Sequence, residues 1–393
     1  MLSRPAANLL TMIALIAVSS VALAQEGAPV ADPLPQLTRD DVSLLDGVIE
    51  HIRQDFSIPG LAVGIVENGK PVYMRGFGVR DNETDQPVDA HTLFQVASIT
   101  RTFTAAAIMQ LAEHGQLALT DSIADSSVTI AQLLTRDDAA FDALAGIIES
   151  TTHQEYLQYM QTRVLSSAGM VESTFDAPLA ERNVAWPHVG MVFARRAPDY
   201  PWDESALPSA GLSASVADLT RWAALHVSHD PALLAPASYD AMFERQHDGA
   251  DERTAIALGW ELEHHGSEWL PSLAANRSGF SSLLTLYPSQ QRAIVILSNG
   301  EMTPDKEIRG IIESILAGEA YVLPKPSLLM RSDFQWAFGG LLAMSFLLIA
   351  VTVHRRRRPG GTPRRLRTGA ARRSETPHTA CGWPPSRALP CAS

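Results

Sequence analysis

Phe94-Gln-Val-Ala-Ser98-Ile-Thr-Arg101-Thr-Phe-Thr-Ala-Ala-Ala-Ile-Met-Gln-Leu-Ala-Glu-His-Gly115 is the stretch that decides the fold. Beyond Ser98 the pattern is helical, with Phe103, Ala106, Ala107, Met109, Gln110 and Leu111 placing an apolar face at the 3.6-residue period. His114-Gly115 is a stop signal, because glycine accepts the left-handed conformation that ends helices. Ser98 therefore falls in the first turn of a buried helix, and Arg101 lies three residues on, on the same face. Two readings of Ser98 follow. Serine is a preferred N-cap, and Arg101 would then be a solvated first-turn residue. Alternatively Ser98 is a helix-borne nucleophile, with a basic side chain one turn on to take its proton and helix N–H groups to hold an oxyanion.

The chain has 393 residues, 46% hydrophobic and 19% charged, a globular composition with room for one large domain or two modest ones. The net charge of −12 is unevenly spread. Ten arginines against one glutamate give the last 40 residues +9, and Arg4 adds one, which leaves −22 for residues 25–353. So acidic a body argues against a nucleic-acid partner. Residues 1–24 read as a signal peptide, with Arg4, an apolar run from Leu9 to Val21, and the small-residue site Ala22-Leu23-Ala24. Phe334–Val353 is a run of 20 residues without a charge, followed at once by Arg355-Arg-Arg-Arg358. Such a run is long enough to cross a bilayer, and the arginines are expected on the cytoplasmic side.

The expected organisation is a signal peptide (1–24), a Pro- and Ala-rich linker (25–37), one domain (38–320), a second linker (321–333), a membrane helix (334–353) and a basic cytoplasmic tail (354–393). The protein would be single-pass at the cell membrane with its domain exported. Cys381 and Cys391 both fall in the tail, so the exported body must rely on its core and not on disulfides.

Within the body, Thr38-Arg-Asp-Asp41 can cap a helix with Leu44, Leu45, Val48, Ile49 and Ile52 as its stripe. Leu61–Val66 and Val72–Val79 read as strands around Glu67-Asn-Gly-Lys70, and Asn-Gly is the strongest short hairpin signal. Phe141–Glu149 and Gln154–Val164 read as helices. Gly279–Tyr287 and Arg292–Asn299 read as strands, and Glu307–Leu316 as an amphipathic helix. Strand candidates thus lie at both ends of the body, with helices between.

Ser98 with its flanks, Leu111-Ala-Glu-His-Gly-Gln-Leu-Ala-Leu-Thr-Asp121, Gly169-Met170 through Thr174, Pro208–Trp222, and Leu258-Gly-Trp260 together resemble the serine β-lactamase-related family. That family includes class C β-lactamases, low-molecular-weight penicillin-binding proteins and related esterases. The resemblance runs from about Asp41 to Gly318. It implies an α+β fold, an antiparallel sheet from both chain ends beside a mostly helical region, with the site between them.

The resemblance also implies three motifs, and each departs here. Where the family's Ser-x-x-Lys has lysine, this chain has Arg101. The Tyr-x-Asn loop maps, counting back from Phe141, to Arg136 and Asp138, and the loop before it is shortened. The Lys-Thr-Gly or His-x-Gly strand motif maps to Leu273-Ala-Ala275, beside Asn276. Tyr156 and Tyr159 read as packing residues. Arginine stays protonated at physiological pH and cannot serve as a general base. Crowding of Arg101, Arg136 and Asp138 predicts that Asp138 pairs with Arg101 and leaves Arg136 to solvent or an anionic ligand.

No metal or cofactor is expected. His264-His265 lacks a third ligand at zinc spacing, and there is no phosphate loop, dinucleotide fingerprint or Gly-x-Ser-x-Gly elbow. Three functional readings result. The first is a fold member with acyl transfer lost or much reduced, binding a small acyl or peptidoglycan-type ligand. The second is an active serine hydrolase using Ser98. The third is a structural or interaction ectodomain. The oligomeric state is not written in the sequence.

Overall fold

The computed structural model describes residues 37–357, except 124–126, 137, 177–182, 191–193, 201 and 327–331. The expected signal peptide, nearly all of the first linker and the tail beyond Arg357 lie outside the described residues.

Asn68 and Gly69 both take positive φ, 51° and 69°, the geometry of a two-residue turn whose twist suits the strands it joins. It links β1 (Gly60–Glu67) to β2 (Lys70–Asp81). β1 is buried at every position, so both of its faces are covered. Its other edge pairs antiparallel with β13 (Arg292–Ser298), from Leu61↔Ser298 to Val66↔Ala293. The two ends of the body thereby meet at the middle of one sheet.

Three short pairs lie on or beside the main sheet. β3 (Gln86–Pro87) adds to β2, β4 (Leu93–Gln95) pairs with β7 (Ser213–Ser215), and β5 (His188–Val189) pairs with β6 (Arg195–Arg196). The sheet continues through β8 (His247–Asp248), β9 (Thr254–Ile256), β10 (Glu261–His265), β11 (Glu268–Arg277) and β12 (Phe280–Tyr287). Its order is β3-β2-β1-β13-β12-β11-β10-β9-β8.

Alternation along the strands sends residues to two cores. Leu61, Val63, Ile65, Ile294 and Ile296 pack against α1 (Arg39–Asp55) and the helix Asp305–Leu316. Thr38 and Asp41 cap α1 reciprocally, as the sequence predicts. Leu44 is the exception in its stripe. It is 42% exposed, because the period that buries Leu45, Val48, Ile49 and Ile52 turns Leu44 aside. On the other face Ala62, Leu273, Leu284, Val295 and Leu297 pack against the helical region.

At the centre of that region is α2 (Thr100–Glu113), preceded by a 3-10 turn, Ala97–Ile99. It is buried around nearly its whole circumference, with no single apolar face. Phe103 stacks on Trp222 at 3.9 Å and 13°, and Trp222 Nε1 donates to Thr102 Oγ1 at 3.0 Å. Gly115, at φ 65°, ends the helix where the sequence places the stop. Gly259, at φ 75°, lets its loop close on α2, since a Cβ there would stand 2.4 Å from Ala105 Cβ.

The remaining helices are α3 (Ile130–Leu133), α4 (Asp138–Asp142), α5 (Leu144–Thr152), α6 (Tyr156–Tyr159), α7 (Leu207–Ala210), α8 (Val216–Val227), α9 (Pro236–Phe243), α10 (Asp305–Leu316) and α11 (Ser332–Arg357). The helix expected over 141–149 is broken at Ala143 into α4 and α5, and α6 runs on into a π turn, Met160–Leu165. α11 carries the window Ala337–His354, with mean hydropathy 2.0, which is long and apolar enough to cross a membrane.

Candidate active site

Ala97 sits at φ 45°, a left-handed conformation that strains a residue with a Cβ by about 1–3 kcal/mol. It turns the chain from β4 into α2 and sets Ser98 half-buried on the wall of a cleft of about 370 Å³. The simple capping role does not hold. Ser98 lies inside the 3-10 turn, the N-cap of α2 is Ile99, and neither Ile99 nor Val96 makes a side-chain cap bond.

Asp138, Ser209, Ala275, Asn276 and Arg277 share the cleft with Ser98. Leu273 does not. It is 1% exposed and packs into the core of the helical face, so of the strand-motif residues only Ala275 reaches the site. Asn276 Nδ2 donates to the Glu301 carbonyl, which ties this end of β11 to the loop after β13.

Arg101 turns toward α4. Its Nε donates to Asp138 Oδ1 at 3.1 Å, its Nη2 donates to the same oxygen, and its Nη1 donates to the Arg136 carbonyl at 3.4 Å. The guanidinium lies 5.4 Å from the Phe141 ring centroid. The pair is the one the sequence predicts, but its geometry is not a two-oxygen fork, since both donors converge on Oδ1. Arg136 is exposed, and it is its backbone that meets Arg101. Tyr156 and Tyr159 are packing residues. Tyr156 is buried and hydrogen-bonds Thr104 Oγ1 at 2.8 Å.

Sequence reasoning missed Ser209, which comes from the short helix α7 and is buried. Its N–H donates to Asp142 Oδ1 at 3.0 Å. Burial pushes the Asp142 carboxyl up, and the hydrogen bonds from Ser209 partly offset this. Nothing in the local sequence marks Ser209 as a wall residue. Arg277 was readable only as the neighbour of Asn276; it faces Asp203 at 3.9 Å. The cleft can therefore hold a small molecule against a serine hydroxyl, with one cation and one already paired carboxylate on its walls. Among the described residues there is no group of three or more His, Cys, Asp or Glu side chains that could hold a metal ion.

The beta-lactamase family model matches residues 45–136 and 137–317. The two segments abut directly after Arg136. Protein flp of Staphylococcus aureus is 26% identical over 330 residues, covering 67% of this chain and 64% of its own length. The chain thus spans less than two thirds of that relative. A penicillin-binding protein homologue from Pyrococcus abyssi superposes with a TM-score of 0.64 at 21% identity, covering 71% of this chain and 78% of that one. A D-alanine carboxypeptidase AmpC from Burkholderia cenocepacia gives 0.61 at 21% identity, over 71% and 99%. These two likenesses concern the fold, a β-lactamase/transpeptidase-like α+β arrangement. With the family match extending over most of the body, the chain belongs to the beta-lactamase family.

Proposed function

We propose that this protein is a membrane-anchored, exported member of the family that binds a small acyl or peptidoglycan-type ligand in the Ser98 cleft, with acyl transfer lost or much reduced. One observation carries the reading. The residue one turn after Ser98 is an arginine, and its guanidinium is engaged by Asp138 and the Arg136 carbonyl. Arginine cannot accept the serine proton, and a serine hydroxyl without a base is a weak nucleophile. Removing one member of a concerted unit abolishes most of what the unit does. Preorganised donors alone would leave roughly a thousandfold acceleration over water. The apolar helix α11 and the arginines after it support the anchor, with residues 25–333 outside the cytoplasm and 354–393 inside. The ligand class follows the names of the similar structures, a penicillin-binding protein homologue and a D-alanine carboxypeptidase.

A second reading, an active serine hydrolase, draws on Asp138, a carboxylate in the same cleft as Ser98. Its pairing with Arg101 opposes that role, because Oδ1 already accepts from both Nε and Nη2 of the guanidinium. Turnover of a chromogenic ester and of a cephalosporin separates the two. The proposal expects wild type and Ser98→Ala to be equally slow. Turnover well above background that Ser98→Ala removes would establish the hydrolase.

A further inference from the structure

A second cleft, of about 650 Å³, opens at the other end of β11, between α9 and Pro288. Trp269 and Pro271 line it, and Trp269 lies six residues before Ala275, roughly 20 Å along the strand. The rings of His229, Phe243 and Trp269 form its walls, and Asp240 and Glu244 stand at its edge. No lysine or arginine is among its lining residues.

Aromatic faces carry partial negative charge and attract cations, most strongly over tryptophan. Trp269 already does so here, with the Arg245 guanidinium 4.8 Å from its ring centroid and itself neutralised by Asp248. Asp240 is 74% exposed on its side chain, with His229 Nδ1 at 3.9 Å. Glu244 is exposed as well. The net −22 of residues 25–353 adds a long-range field of the same sign.

We propose that this cleft binds an organic cation, an alkylated ammonium group seated against Phe243 and Trp269 and held by Asp240 and Glu244. The chemistry favours an alkylated head over a bare amine. Apolar and aromatic walls suit methyl or methylene groups, and the carboxylates supply charge at the edge. The site is separate from the Ser98 cleft and does not depend on how that cleft is used.

The test titrates the full chain in a non-ionic maltoside detergent with choline, and in parallel with 3,3-dimethyl-1-butanol, which has the same shape without the charge. Binding is followed by chemical-shift changes of the Trp269 indole, assigned by comparison with Trp269→Phe. Choline should bind saturably and about tenfold more tightly than the alcohol, the scale of a desolvated cation–aromatic contact. The double variant Asp240→Asn/Glu244→Gln should weaken choline about fivefold and leave the alcohol unchanged, as expected for charge attraction near a surface. Trp269→Phe serves only to assign the signal, and the exposed carboxylate variants, which keep the indole, decide the matter. Equal binding of the alcohol, choline binding indifferent to the two carboxylates, or no saturable choline binding would each overturn the proposal.

Discussion

The wall of the cleft that carries Ser98 is the 3-10 turn leading into α2, a helix buried almost throughout, whereas Asp138 and the end of β11, which share the cleft, are exposed or half-exposed, as is nearby Arg136. The first wall keeps Ser98 and carries Arg101 where the family pattern has lysine. On the second, all the expected polar chemistry has been replaced. Burial explains the contrast. A change within α2 disturbs Phe103, Trp222 and the loop at Gly259 together. A change at Arg136 or Asp138 meets water, and surface substitutions disturb stability little. The fold therefore tolerates replacements at positions open to the cleft, on the exposed wall and at Arg101, the half-buried position in the first turn of α2.

The hardest break in this comparison is Trp222→Ala. It removes the stack on Phe103 and the hydrogen bond to Thr102, and should destabilise the body by about 3–5 kcal/mol. Chemical denaturation measures it. A loss no larger than that of an exposed substitution would mean that α2 is not anchored as described.

Acid should strain the same wall. His226 is fully buried beside Trp222, and burial lowers its pKa from 6.5 to about 4. The unfolded ring takes up a proton near pH 6.5 and the folded ring only near pH 4, so acid favours the unfolded state across that window. Stability from this group is fully present above pH 6.5 and declines by roughly 3 kcal/mol as pH falls to about 4. Denaturation midpoints of wild type and His226→Gln over that range check the sign. The variant should show the shallower decline.

On the exposed wall the effects shrink. Asp138 is 58% exposed on its side chain, so Asp138→Ala should change stability by no more than about 1 kcal/mol. A larger loss would place the Arg101 pair within the packed part of the fold. Smallest of all is Arg101→Lys, which should restore no hydrolysis. The lysine would be kept protonated by Asp138, and the tyrosine position would still hold Arg136. Turnover of a cephalosporin well above background by this single variant would show that the opposing wall still works.

The same contrast governs what could be read from the sequence. The capping box at Thr38, the Asn68-Gly69 turn and the stop at Gly115 are local, and each was legible because a few adjacent residues fix the geometry. β10 and β11 carry weak strand signals, and Pro271 argues against an interior strand. Pro271 is accommodated because pairing to β12 begins one residue later, at Ser272↔Thr285. The break at Ala143 and the exposure of Leu44 depend on what packs opposite. At the site, Ser98, Arg101 and Asp138 could be placed by counting from a family pattern. Ser209 could not, because it reaches the cleft from a segment more than a hundred residues away in sequence and has no motif of its own. Leu273 was misplaced for a related reason. Counting identifies a strand position but not which residues of it remain under the core.

The central claim, that Ser98 occupies a family site without a working base, is tested most directly by intact-mass measurement of the full chain after exposure to excess penicillin and, separately, to a fluorophosphonate. The account predicts an unchanged mass with both reagents over times in which a base-activated serine is fully labelled. A mass increase of one adduct per chain, mapped to Ser98 and absent in Ser98→Ala, would contradict it.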